Sequence, residues 1–194
     1  VLPDGTLKDW PFEIVEELTT ITTTQSENEY ALSATTTELK YPDSNQGVIQ
    51  VKLGQDVLKS MDLDQYEAKY DGVARTEVAT QAAIGATSLI VDDSYELAEE
   101  GTITVGSMTV TYTGNTQSTG TLTGIPASGT GSITATATVD MVVWQGISPS
   151  KPSKYTIFNN NILLDVPVDS DTAGKKIKLK FYGAQSRLGS LVDT

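Results

Sequence analysis

Residues 101–139 read GTITVGSMTVTYTGNTQSTGTLTGIPASGTGSITATATV. The first thirteen decide the fold class. Apolar residues and threonines alternate on either side of Gly106-Ser107, the pattern of two short strands joined by a two-residue hairpin turn. Ile103, Val105, Met108, Val110 and Tyr112 fall on one face, and Thr102, Thr104, Thr109, Thr111 and Thr113 on the other. Further strands are expected near Gly120–Thr123 and Ser132–Val139. Gly-Thr-apolar-Thr recurs at 101 and 120 and Gly-Ser-Ile-Thr stands at 131, which we read as shared strand composition rather than a true repeat.

Working outward, the same region is marked by charge. Not one Lys or Arg lies between Arg75 and Lys151, whereas both flanks are mixed. That shift suggests a module set into a host. Upstream, ATSLIVDD predicts a strand and SYELAEEG a loop or single helical turn closed by Gly101. Downstream, DMVVWQGI predicts an apolar strand that closes the module or re-enters the host, and SPSKPSK a Pro/Ser linker. The expected architecture is all-β. An antiparallel β-sandwich or barrel-like host domain comprises 1–75 and 147–194, and a small Thr/Gly-rich β-module, 76–146, is inserted in it.

In the host, Trp10–Leu18 offers a short helix or strand, with strands at about 18–24 and 29–33 joined at QSEN. YPDSNQG is a turn. VIQVKLG predicts a strand with Val48, Gln50 and Lys52 on one face and Ile49, Val51 and Leu53 on the other. VLKSMDLDQYEAKYDG reads as strand then loop in preference to a short helix. YTIFNNNILLDVPV gives two strands about an Asn turn at 159–161. KKIKLKFYG places Ile177, Leu179 and Phe181 inward and Lys176, Lys178 and Lys180 outward, a stripe that suits an edge strand guarded against aggregation.

The 194 residues include no Cys and no His. That removes disulfides, thiolate and imidazole metal sites, and Ser-His-Asp or Cys-His catalysis. No apolar run reaches the roughly 20 residues of a membrane helix and no secretory signal pattern is visible, so the chain is read as soluble. Net charge is −12. Residues 1–146 hold 21 acids and 6 bases, and residues 147–194 hold 4 and 7. A body this acidic repels nucleic acid at long range.

Candidate chemistry is weak. Ser148-Pro-Ser-Lys151 has Ser-x-x-Lys spacing, but Pro149 and Pro152 forbid the helical turn that brings Lys to Ser. The pairs Asp92-Asp93, Glu99-Glu100, Asp62/Asp64 and Asp169/Asp171 lack the signs of a sugar cleft that a glycosidase needs. Asp43-Ser-Asn45 and Asp169-Ser-Asp171 partly match calcium loops, yet turn formation explains both. No phosphate-cradling Gly loop with Lys is present, and the Lys176/Lys178/Lys180 stripe reads as a solvated face. No catalytic residue, cofactor or metal ligand is assigned.

The host segments carry an ordered set of features: Trp10 and Phe12 before a Thr-rich strand, Tyr30 and Leu32, Ile49 and Val51, Leu58, and an acidic-aromatic stretch to Tyr66. Near the end come Tyr155, the Asn turn, an apolar pair, Pro and a Lys-rich strand with Phe181-Tyr182. This set resembles the virion neck proteins of tailed bacteriophages, of the head-to-tail adaptor or connector type. The middle segment is similar to small β-modules of phage structural and tail proteins. Adaptors carry helices before the first strand and after the last, which this sequence does not show, so neck, tail and decoration roles stay open. The resemblance implies a virion protein without enzymatic activity, working as a ring of identical subunits. Its partners would be portal or tail components. DNA would pass nearby without specific binding, and no membrane would be involved. Trp10, Phe12 and Trp144 are the candidate interface residues. A host-surface, glycan-binding or capsid-decoration module is the alternative.

Overall fold

The computed structural model describes residues 14–17, 21–32 and 48–182. In chain order the first elements are β1 (Ile14–Glu17), β2 (Glu29–Ala31), β3 (Val48–Leu53), β4 (Asp56–Ser60), the helix α1 (Leu63–Tyr70), β5 (Ala74–Thr80) and β6 (Ser88–Val91). Next come β7 (Gly101–Val105), β8 (Met108–Tyr112), β9 (Gly114–Thr116), β10 (Thr121–Thr123) and β11 (Val142–Gln145). The last are β12 (Lys154–Phe158), β13 (Asn161–Leu164) and β14 (Ile177–Tyr182). The protein is mostly β, and one of its sheets is curled like half a barrel. A first sheet has the order β1-β14-β3-β4-β12-β13-β2, and a second the order β8-β7-β11-β5-β6-β10-β9. Each sheet has its own apolar core. Val51, Ile162, Leu164 and Ile177 are among the residues filling the first, and Val78, Val105, Val110 and Leu122 among those filling the second.

The turns follow from residue type. β7 and β8 pair with Val105 opposite Met108, and Gly106 at the tip has φ +59°, the conformation glycine adopts without steric cost. All five predicted inward residues of this hairpin are buried. Asn159 and Asn160, both at positive φ, make the primed turn that matches strand twist between β12 and β13.

Several expectations are corrected. The stripe-bearing strand β14 is not an edge, because β1 and β3 pair with its two sides. The sheet is not purely antiparallel, since β12 runs parallel to β4. Residues 63–70 form a helix rather than a loop. Its Gln, Glu, Ala and Lys are good helix formers, with Asp64 in the first turn and Lys69 in the last, each complementing the helix dipole. Gly72, at φ +71°, follows its end. Residues 132–139 make no strand beyond an isolated bridge of Ala137 to Ala82, and Ile133 and Ala137 fill the second core instead. Ile49, placed by alternation on one face with Val51 and Leu53, is 40% exposed while those two are buried. The β14 register jumps from Gln50 to Val48, a bulge at Ile49 that resets the alternation. Of the expected 18–24 strand, residues 18–20 lie outside the described residues, and Thr22 is joined to Lys176 by an isolated bridge. The turn at 41–47 lies outside the described residues.

Candidate functional site

Three places gather polar or aromatic side chains. The first is the junction of the two sheets. Trp144 on β11 is 3% exposed, and its indole Nε1 donates to the Ser26 carbonyl at 2.7 Å. Ser26 itself stands at φ +65°, and its hydroxyl donates to the Gly106 carbonyl at 3.2 Å. The indole lies 6.0 Å from the Tyr70 ring, with the Arg75 guanidinium 5.8 Å from its centroid. Arg75 forks onto both Glu27 oxygens at 3.2 Å and reaches Glu77 at 3.4 Å. Tyr66 stacks on Tyr70 at 4.6 Å and accepts from Asn28 Nδ2 at 2.8 Å. Burial pushes the Tyr66 phenol up to about 12 and raises that of Tyr70 further. Trp144, expected at an interface between copies, is thus a buried brace between the two sheets of one chain. Trp10 and Phe12 lie outside the described residues.

The second place is the 92–100 loop between β6 and β7. Asp92, Asp93, Glu96, Glu99 and Glu100 are all exposed. The loop is pinned from beneath: Asn115 Nδ2 donates to the Ser94 carbonyl at 2.9 Å, the Tyr112 hydroxyl donates to the Ala98 carbonyl at 2.9 Å, and Ala98 N donates to Gln145 Oε1 at 2.8 Å. Asp93 Oδ1 accepts from Tyr95 N at 2.9 Å, an Asx turn. Tyr95, 66% exposed, stands with Ile90, Asp92, Asp93 and Gln117 around an open hollow of about 510 Å³.

The third is the outer face of the first sheet. Val51, Leu53, Leu58, Ile177 and Leu179 point into the core, so alternation turns Lys52, Lys59, Lys176 and Lys178 the other way. The register sets Lys178 opposite Lys52 and Lys154 beside Lys59, on strands about 4.8 Å apart. Val57, the partner of Lys52, is 56% exposed among them. Lys180 pairs in register with Gln50 and Glu16.

The remaining sequence candidates are dispersed. Asp62 precedes α1 without a side-chain cap bond, and Asp64 lies in its first turn. Asp169 Oδ1 accepts from Thr172 N at 2.8 Å, a turn bond. Lys151 pairs with Asp56 at 2.9 Å, and that hydrogen bond and charge hold the Asp56 carboxyl below its ordinary range. Among the described residues, no three His, Cys, Asp or Glu side chains group as a metal site would require. The sequence reading missed Asp165. This buried carboxylate accepts from Ser153 N at 2.8 Å, Lys154 N at 3.0 Å and Ser153 Oγ at 2.9 Å, with Lys69 at 3.8 Å. An acid closing the apolar run Ile162–Leu164 was the available signal. The chain matches no family model, no curated protein and no solved structure among those it was compared with.

Proposed function

We propose that this protein is a structural, non-catalytic component of a tailed-phage virion, acting at the head–tail junction or in the tail as one subunit of a ring. Its partners are copies of itself and neighbouring portal or tail components, and DNA passes nearby without specific binding. The supporting observation is how the reactive side chains are used. The carboxylates of Asp93, Asp165 and Asp169 accept backbone N–H groups, and the Tyr30 and Tyr112 hydroxyls tie backbone carbonyls. These five side chains hold loops in place, as suits a part whose work is geometric. The ordered host features of the sequence support the same reading. Negative-stain images and mass in solution test it, with rings expected. Turnover of a polysaccharide that is lost on changing Asp62 or Asp64 would overturn it.

One observation favours a second reading, a host-surface or capsid-decoration module that binds glycans. Tyr95 stands exposed beside Asp92, Asp93 and Gln117, and an aromatic face with polar neighbours suits a sugar ring. Monomers or trimeric spikes in the images, with glycan binding lost in Tyr95→Ala, are the results that would favour it.

A further inference from the structure

We propose that copies of this chain join head to tail, the acidic 92–100 loop of one copy seating on the lysine-bearing outer face of the first sheet of the next. The inference rests on the ring-subunit reading and names its contact. The two surfaces are complementary in charge. On one side Lys178 faces Lys52 and Lys154 adjoins Lys59. On the other, Asp92, Asp93, Glu96, Glu99 and Glu100 stand exposed, in a region where no Lys or Arg occurs between Arg75 and Lys151. Both surfaces also offer apolar contact, Val57 among the lysines and Tyr95 and Ile90 beside the acids.

Within one copy these charges are not matched to each other. The ion pairs of the described residues join Lys69 to Asp165, Arg75 to Glu27 and Glu77, and Lys151 to Asp56. Like charges directly opposite across two strands lower stability, and a carboxylate seated between Lys52 and Lys178 relieves that repulsion. The loop is already pinned by Asn115 and Tyr112, so little ordering is lost when it docks. Duplex DNA fits the face less well. A duplex running across it would extend onto the surface of a chain of net charge −12. Because two different patches meet, the contact is heterologous, and repetition closes a ring when the rotation permits.

The test is sedimentation velocity on the whole chain at about 50 mM and about 500 mM salt, which brackets strong and weak screening. One variant carries Lys52→Glu with Lys178→Glu, and another Asp92→Lys with Glu96→Lys. All four positions are at the surface, and unchanged thermal melts confirm folding. If the lysine reversal unfolds the chain, Lys52→Gln with Lys178→Gln replaces it. Wild type should self-associate at low salt and dissociate at high salt, and each variant alone should associate at least about tenfold more weakly. An equal mixture of the two reversed variants should recover association, because the new lysines meet the new glutamates. Wild type that stays monomeric at low salt, or a mixture that fails to recover, overturns the proposal. Wild-type rings indifferent to both reversals overturn this contact and leave the ring reading standing. Salt-sensitive binding of a duplex oligonucleotide that Lys52→Glu with Lys178→Glu abolishes also overturns it, and assigns the face to nucleic acid.

Discussion

Trp144 joins the sheets by a hydrogen bond, a ring contact and a cation above its face, and substitutions separate these contributions. Trp144→Phe keeps a ring but leaves the Ser26 carbonyl without its donor, so it should cost about 1–2 kcal/mol. Trp144→Ala also empties the site and should cost about 3–5 kcal/mol, both read from urea unfolding. Arg75→Gln should cost less than about 1 kcal/mol, since its ion pairs are partly exposed. The tyrosines give a pH test. Burial raises the phenols of Tyr30 and Tyr66 from 10.0 to about 12. The unfolded chain therefore releases these protons first, and their contribution to stability is complete below pH 10 and falls as pH rises towards 12. Tyr66→Phe should flatten that fall in the urea midpoint, and equal steepness in the variant would assign it to other groups. None of this junction was legible in the sequence. Trp144, Arg75 and Ser26 are far apart in the chain, and no spacing rule links them.

At the level of elements, legibility followed local chemistry. Hairpins whose turns need positive φ announced themselves through Gly106 and the Asn159-Asn160 pair. The alternation of β14 gave its inward residues correctly. Its position in the sheet did not follow, because a lysine stripe reports which face is wet and not whether a neighbour pairs. The helix stood second to a strand and loop in the sequence, because helix propensity acts there over only eight residues. The Ile49 bulge leaves no mark in an otherwise regular alternation. Turn substitutions distinguish the visible glycine from the hidden one. Gly106→Val should cost about 1 kcal/mol or more through its positive φ, and Met141 Sδ, 3.2 Å from the added Cβ, must also give way. Gly120→Ala should cost more, above about 2 kcal/mol. Its φ is +61° and the new Cβ would run into the Val91 carbonyl oxygen, which is backbone and has no rotamer to change. Thermal melts in which Gly120→Ala is the milder variant would contradict this ranking.

Across the whole molecule, the chain enters and leaves the second sheet at neighbouring positions. Ala74 at the start of β5 pairs with Gln145 at the end of β11, and a Cβ on Gly146 would lie 3.3 Å from the Gly72 carbonyl oxygen. β5 thus spans the charge border at Arg75, and a clean excision removes 74–145. Replacing those residues by a short Gly/Ser linker should leave a first sheet that unfolds cooperatively, weakened by loss of the Trp144 brace. A chain that no longer folds would show the two sheets to be one folding unit. The same adjacency has a mechanical consequence. Tension applied between residues 1 and 194 runs through the first sheet and crosses the second only over the short gap from Ala74 to Gln145. The second sheet is thereby shielded from load until the strands around it part. In single-molecule pulling from the ends, the first sheet should yield before the second, in two separate extensions, so that an overstressed chain would lose its first sheet while the strands of its second stayed intact.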